Sequence, residues 1–373
     1  MAETFFEAIH EILSVQRWNF LPRIDEWSEA ENIAYYTHIA YALSKAAKFS
    51  DNETLEIIYR CLLKSFNKHY LSDIPIKTRD AIKRQDEDAW ENIITDAAEF
   101  TANFFPRELR KDVIKYMGYK SSYNGQKAEL FEEIIKFCQY QSAQEECHYN
   151  ESIFPENYIC TKKEIANKFA TLTNLQYLKG LFEPMRNYIN SIRLLKYVRR
   201  WNRLNRNMES TVMAHIFVVS MLAFFFSSLE GKNQAFRHQC IVRALFHDVP
   251  ESITGDIIAP VKKIINKKDS TFWNTVENSM IAVFKDNAPS FIQEEIDKYD
   301  LLSPFPKQDL GSVASLVNEC DKFALVLECG FEKGSGNNPV EMKRAFSNYI
   351  DDLRNSEWPR IREYASIVFD VYF

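Results

Sequence analysis

The chain aligns with itself at a fixed offset of 183 residues, and that repeat constrains its folding more than any other feature. The segment Val15–Tyr116 lies against Val198–Tyr299 without a gap, with about a fifth of the aligned positions identical. Residue types that rarely coincide are among the matches. Arg17-Trp18-Asn19 pairs with Arg200-Trp201-Asn202, and Trp90 with Trp273. Arg23 meets Arg206, Glu26 meets Glu209, Arg60 meets Arg243, Asp73-Ile74 meets Asp256-Ile257, and Lys115-Tyr116 meets Lys298-Tyr299. The expectation is two tandem copies of one fold with a boundary near residues 180–186, giving domains 1–184 and 185–373. Each has the length of an ordinary single domain.

Both copies read as all-α. Tyr35, Ile39, Ala42 and Leu43 recur at helical spacing, as do Leu316, Val317, Cys320, Phe323, Ala324 and Leu327. Only 9 Gly and 12 Pro interrupt the 373 residues, too few for a turn-rich β fold, and a hydrophobic content of 46% suffices for packed cores. The apolar run Val212–Leu229 is barely long enough to cross a membrane, carries His215 near its start and lacks a flanking aromatic belt. It is expected to be a central core helix. A net charge of −6 disfavours a nucleic-acid polymer as partner but leaves room for a small anion in a local basic pocket. The seven cysteines are odd in number and contain no CxxC pair, as expected of reduced thiols in the cytoplasm. The opening MAETFFEAIHEIL has early acidic residues and no basic n-region, so no signal peptide is expected.

The chemistry concentrates in the second copy. His247-Asp248 ends an apolar helical stretch, His215 lies 32 residues upstream, and Asp321 lies 73 residues beyond Asp248. All four sit in apolar surroundings, where an unpaired carboxylate is costly and needs a compensating charge. Imidazole nitrogens combined with carboxylate oxygens suit one divalent ion of the Mn, Co, Fe or Zn kind. A lone buried His, or an isolated HD pair, would mean little. The ordered set H…HD…D on helices, with PESITGD following Val249, is far more specific.

Together, RRWNRLNRNMESTVMAH, ALFHDVPESITGDIIAPVKK and ECDKFALVLECGFEKGSGNNP resemble the 5′-deoxynucleotidase (YfbR-like) group of HD-domain proteins over almost all of residues 199–344. The resemblance implies an all-helical fold and metal-dependent removal of phosphate from deoxynucleoside 5′-monophosphates. It implies His215, His247, Asp248 and Asp321 as metal ligands, Glu251 as the catalytic carboxylate, and Asp256 as a further acidic active-site residue. Arg200 and Trp201 match a pair that contacts phosphate and sugar, and Arg206 in the same basic run is a further candidate substrate contact. These assignments suit the residue types: a guanidinium matches phosphate oxygens, and an indole offers a flat face. The resemblance also implies self-association. RWN is followed by RLNRNMEST, which departs from the family pattern and leaves sugar discrimination open. A deoxynucleoside triphosphate hydrolase, to be told apart by basic residues around Lys262-Lys263, and a nucleotide-sensing interaction protein are the competing readings.

At the repeat offset the first copy has lost this set. His215 falls on Asn32, His247 on Lys64, Asp248 on Ser65 and Glu251 on Lys68, and extending the offset puts Asp321 on Cys138. Two lysines there would repel a divalent ion. The first copy is therefore expected to bind no metal and to be inactive, with Lys64 pairing with the retained Asp73. Arg17 and Trp18 either still hold a nucleotide or serve packing alone. His38, His69 and His148 lie off the ligand positions and are expected to be ordinary histidines.

Overall fold

The computed structural model describes residues 4–118, 123–257, 259–266, 272–303 and 310–372, and its regular elements are helices. Among these residues, extended pairing is limited to two isolated antiparallel bridges, Gln16 with Ser28 and Arg199 with Thr211. The all-α expectation holds. The chain divides into two compact units, Met1–Phe182 and Glu183–Phe373.

The N-terminal unit is organised by the helix Glu29–Ala46, which packs on Asp51–Lys64 and on the long helix Gln126–Glu151. A capping box starts it: Ser28 accepts from the Glu31 amide, and the Glu31 carboxylate takes the Ser28 amide at 2.7 Å. Residues 29–44 are buried on every face, so the apolar stripe read from the sequence understates this helix. A helix enclosed all round belongs at the centre of a core.

In the C-terminal unit the helix Val212–Leu229 has the same place, packed on Gln234–Phe246 and Gly311–Gly334 and capped by Thr211. Its mean hydropathy of 2.1 and its length would suit a membrane span, yet 94% of it is buried. As expected, it is a core helix.

Local devices recur at positions 183 apart. Glu29–Ala46 and Val212–Leu229 begin and end at that spacing, as do the one-turn helices Lys68–Leu71 and Glu251–Thr254. Left-handed backbone occurs at Trp18 (φ 54°) and Trp201 (φ 55°), at Lys48 and Gly231, and at Ser72 and Gly255. The Arg17 amide donates to the Trp27 carbonyl, and the Arg200 amide to the Ser210 carbonyl, both at 2.9 Å. A bulky residue at positive φ costs about 1–3 kcal/mol and persists only where its surroundings hold it. Trp18 is held by its own amide, which donates to Asp73 Oδ2 at 3.1 Å, and by its indole, which donates to Glu146 Oε2 at 2.7 Å.

In the two long helices the spacing drops to 182. The Trp18 indole donates to Glu146, and the Trp201 indole to Glu328. The amides of Ile24 and Asp25 donate to Asn150 Oδ1, and those of Asn207 and Met208 to the Glu332 carboxylate. The second unit thus has one residue fewer before its long helix. This corrects the register expected from the sequence: the position matching Asp321 is Gln139, not Cys138.

Arg17 lies between two fully buried acids, with Nη1 2.8 Å from Glu29 Oε2 and Nη2 2.9 Å from Glu146 Oε1. Glu146→Ala would leave a buried guanidinium half-compensated and the Trp18 indole without its acceptor. We expect a loss of about 3 kcal/mol in stability of the N-terminal unit by urea unfolding, with a smaller loss for Glu146→Gln, which keeps an acceptor for the indole. Equal losses for the two would show that charge is irrelevant at this position.

Candidate active site

Three elements of the C-terminal unit bring the candidate ligands together. His215 sits in the first turn of the central helix, fully buried. His247 closes the helix Gln234–Phe246, and the chain turns through Asp248 into the one-turn helix Glu251–Thr254. Asp321 lies midway along Gly311–Gly334. His215, His247 and Asp248 each present a ligand atom, all within 4.8 Å of one another. His215 Nε2 is 3.6 Å from Asp248 Oδ2 and 2.9 Å from Asp321 Oδ1, while His247 Nε2 is 3.3 Å from Asp248 Oδ2. The sequence-derived set thus converges, with Asp321 reaching it through His215.

The donor chemistry fits a cation. His247 Nδ1 lies 2.7 Å from the Ala244 carbonyl, which can only accept, so Nδ1 carries a proton and Nε2 is left facing the cluster. That Nε2 is buried and makes no well-directed hydrogen bond. Burial pushes the His247 imidazole down, but Asp248 and Asp321 outweigh it and raise its pKa to about 9. Without a metal ion, a proton is drawn to the place where the carboxylates need a positive charge. Asp248 is part-buried, which works against its charge, yet His247, His215 and Arg200 hold its pKa far below the usual range.

Glu251 behaves in the opposite way. Burial, then Asp248 and Asp256, raise its pKa to about 9, and its buried Oε2 has no hydrogen-bond partner among the described residues. Asp256 is also raised, first by burial, with Arg200 opposing. Arg200 reaches Asp248 Oδ2 at 3.6 Å through Nη1, and Glu328 Oε1 at 3.3 Å through Nε. Glu328 also takes the Trp201 indole at 2.9 Å and the Ser210 hydroxyl at 2.5 Å. Burial would raise the Glu328 carboxyl, but Arg200 and its neighbours hold it at about 2, a permanent anion. Glu328 and Ser210 did not emerge from the sequence. The available signal was Glu328 seven residues after Asp321, hence on the same helix face. Arg206 has the contacts of a brace. Its Nε lies 3.5 Å from Glu332, a fully buried acid that also fixes the amides of Asn207 and Met208. Lys262 lies over the Trp273 ring at 5.2 Å and near enough to Glu251 and Asp256 to favour their charged forms; the Lys263 side chain lies outside the described residues.

The matching positions of the N-terminal unit are wired differently. Asn32 donates to Glu29 Oε1 at 3.1 Å and accepts from the Ser142 hydroxyl at 2.7 Å. Gln139 donates to the Ser65 hydroxyl at 3.3 Å, an amide and an alcohol where the other unit has two aspartates. Lys64 does not pair with Asp73 as expected. It extends to Glu132 Oε2 at 2.7 Å, drawn to an acid on the facing long helix. Lys68 instead spans Glu29 Oε2 at 3.0 Å and Asp73 Oδ1 at 3.2 Å. Among the described residues, His, Cys, Asp and Glu side chains group as a possible ion site only at His215, His247 and Asp248.

Comparison with known proteins agrees with this division. The family described as 5′-deoxynucleotidase YfbR-like matches residues 187–372. The 5′-deoxynucleotidase YfbR of Salmonella typhi is 23% identical over 168 residues, covering 44% of this chain and 81% of that protein. The 4′-phosphooxetanocin A phosphatase of Priestia megaterium is 26% identical over 190 residues, covering 49% of this chain and 92% of that protein. Through residues 187–372, where the histidines and aspartates converge, the chain belongs to the YfbR-like family and is a phosphohydrolase.

Proposed function

We propose that the C-terminal unit removes the 5′-phosphate from deoxynucleoside 5′-monophosphates with one divalent ion held by His215, His247, Asp248 and Asp321. The observation carrying this reading is the convergence of those side chains, within 4.8 Å for His215, His247 and Asp248, inside the matched segment. The relatives, a 5′-deoxynucleotidase and a 4′-phosphooxetanocin A phosphatase, support the substrate class. A divalent ion bound there supplies Lewis-acid chemistry, polarising a phosphoryl oxygen and making water more acidic.

The protein's own residues account for the rest. Arg200 is anchored at Nε by Glu328, which leaves its remaining donors for a phosphate dianion. Trp201, fixed by the same carboxylate, offers its ring to sugar or base. As a water oxygen attacks phosphorus and the bond to O5′ breaks, the water must lose a proton and the leaving oxygen must gain one. Burial and the neighbouring acids keep Glu251 protonated until a cation is present; with a divalent ion bound its carboxylate would be restored, and its unpartnered Oε2 is placed to take the proton of the attacking water. Asp256 and Lys262 set the charge around it. Arg206 acts through Glu332 to hold the loop after Trp201.

The N-terminal unit is read as a second copy of the same fold without the ligand set, supported by the shared positive-φ residues and matching hydrogen bonds. It contributes neither metal nor turnover.

Three outcomes test this. With Mn²⁺ or Co²⁺, a panel of nucleotides should yield inorganic phosphate from deoxynucleoside monophosphates; tripolyphosphate from triphosphates would assign the competing triphosphohydrolase activity, and no product at all would leave only a sensing role. Glu251→Gln should lower kcat by about 10²–10⁴-fold with metal content unchanged, and a near-normal kcat would remove Glu251 from the chemistry. Glu328→Gln should reduce kcat/KM by about a hundredfold through a displaced Arg200. Unchanged kinetics in that variant would mean that Arg200 needs no anchor.

A further inference from the structure

Where the C-terminal unit gathers acids, the N-terminal unit has a cavity of about 470 Å³ walled by bases. Besides Arg17, it is lined by Lys64, Lys68, Arg79, Lys83, Lys136 and Lys168, against three carboxylates, Glu29, Asp73 and Asp80. Lys68 is neutralised by Glu29 and Asp73, Lys64 by Glu132 behind the wall, and Arg79 and Lys168 share Asp80. Lys83 and Lys136 have no carboxylate partner among the described residues, so the cavity carries a surplus of positive charge. Burial lowers the pKa of the Lys64 ammonium against the pull of Glu132, and Arg60 and Lys136 lower it further. Trp18, Trp90, Phe20 and Tyr140 supply aromatic faces, and Ser65 and Gln139 supply neutral donors.

We propose that this cavity binds a phosphomonoester, specifically a nucleoside monophosphate, without a metal ion and without hydrolysing it. Two unpaired ammonium groups match the charge of a phosphate monoester, about −1.5 to −2 near neutrality. The Arg79 guanidinium and the lysines are the donors that phosphate oxygens prefer. The volume is that of a small-ligand site, and the aromatic walls fit a base or sugar. Turnover is absent because every position equivalent to a ligand or to Glu251 carries Asn32, Lys64, Ser65, Gln139 or Lys68. The anchor is not Arg17, whose guanidinium is taken up by Glu29 and Glu146. The proposal does not rest on the activity of the other unit.

Calorimetric titration of the full-length chain in EDTA, where no turnover occurs, tests it with two probes, inorganic phosphate and a deoxynucleoside 5′-monophosphate. One equivalent should bind, tighter for the nucleotide. Lys136→Glu and Lys83→Glu should each weaken binding at least tenfold with helical content unchanged, and Arg200→Ala should leave it unaltered. Equal affinity for both probes would overturn the nucleoside part of the proposal, since base and sugar would then add nothing. No heat with either probe, binding that survives both charge reversals, or binding abolished by Arg200→Ala would overturn the proposal.

Discussion

Placing carboxylates in the apolar interior of a helical unit is the constraint on which the rest of this protein depends. An uncompensated buried charge costs several kcal/mol, so each acid in the core dictates where a cation must lie. In the C-terminal unit, the buried Glu328 and the part-buried Asp248 and Asp321 converge around two histidines and Arg200. The arrangement is short of positive charge: His247 is pulled toward protonation, and Glu251 is kept from ionising. Under the proposed function, a divalent ion would make good that shortage, and the ion together with Arg200 would then draw in a phosphate.

The N-terminal unit meets the same constraint with covalent means. Arg17 sits between Glu29 and Glu146, and Lys68 reaches Glu29 and Asp73 from the position that Glu251 has in the other half. Under the proposed duplication, one ancestral pocket has been carried in two directions, one copy keeping its demand for an ion and the other internalising the cation. The residues that persist in both, an arginine, a tryptophan at positive φ and a glutamate receiving its indole, hold the loop before the central helix. Those that differ, Asn32, Lys64, Ser65, Lys68 and Gln139, share the cavity wall with Arg17 and Trp18.

Much of this was legible in the sequence. Helical periodicity and the scarcity of Gly and Pro were enough for the all-α class, because a 3.6-residue apolar period has no other use in such a chain. His215, His247, Asp248 and Asp321 stood out as polar groups in apolar runs, and they do come together. Less accessible were contacts that depend on register between distant helices. A one-residue difference before the long helices shifted the counterpart of Asp321 to Gln139, and a gapless offset cannot reveal such a difference. Lys64 was given the partner that belongs to Lys68, since a side chain's reach depends on which acids the facing helix presents. Glu328 and Glu332 were hidden because a glutamate in a long helix ordinarily points to water. Only the packed arrangement turns them inward, against Arg200 and Arg206.

Lys68 has one more consequence. A counter-charge fastened to the backbone by a four-carbon tether cannot be stripped by a chelator, diluted away or exchanged for a competing ion. It arrives with translation. The buried acids of one half are therefore balanced as soon as the polypeptide leaves the ribosome, whereas those of the other half would, under the proposed function, wait on the mineral supply of its surroundings.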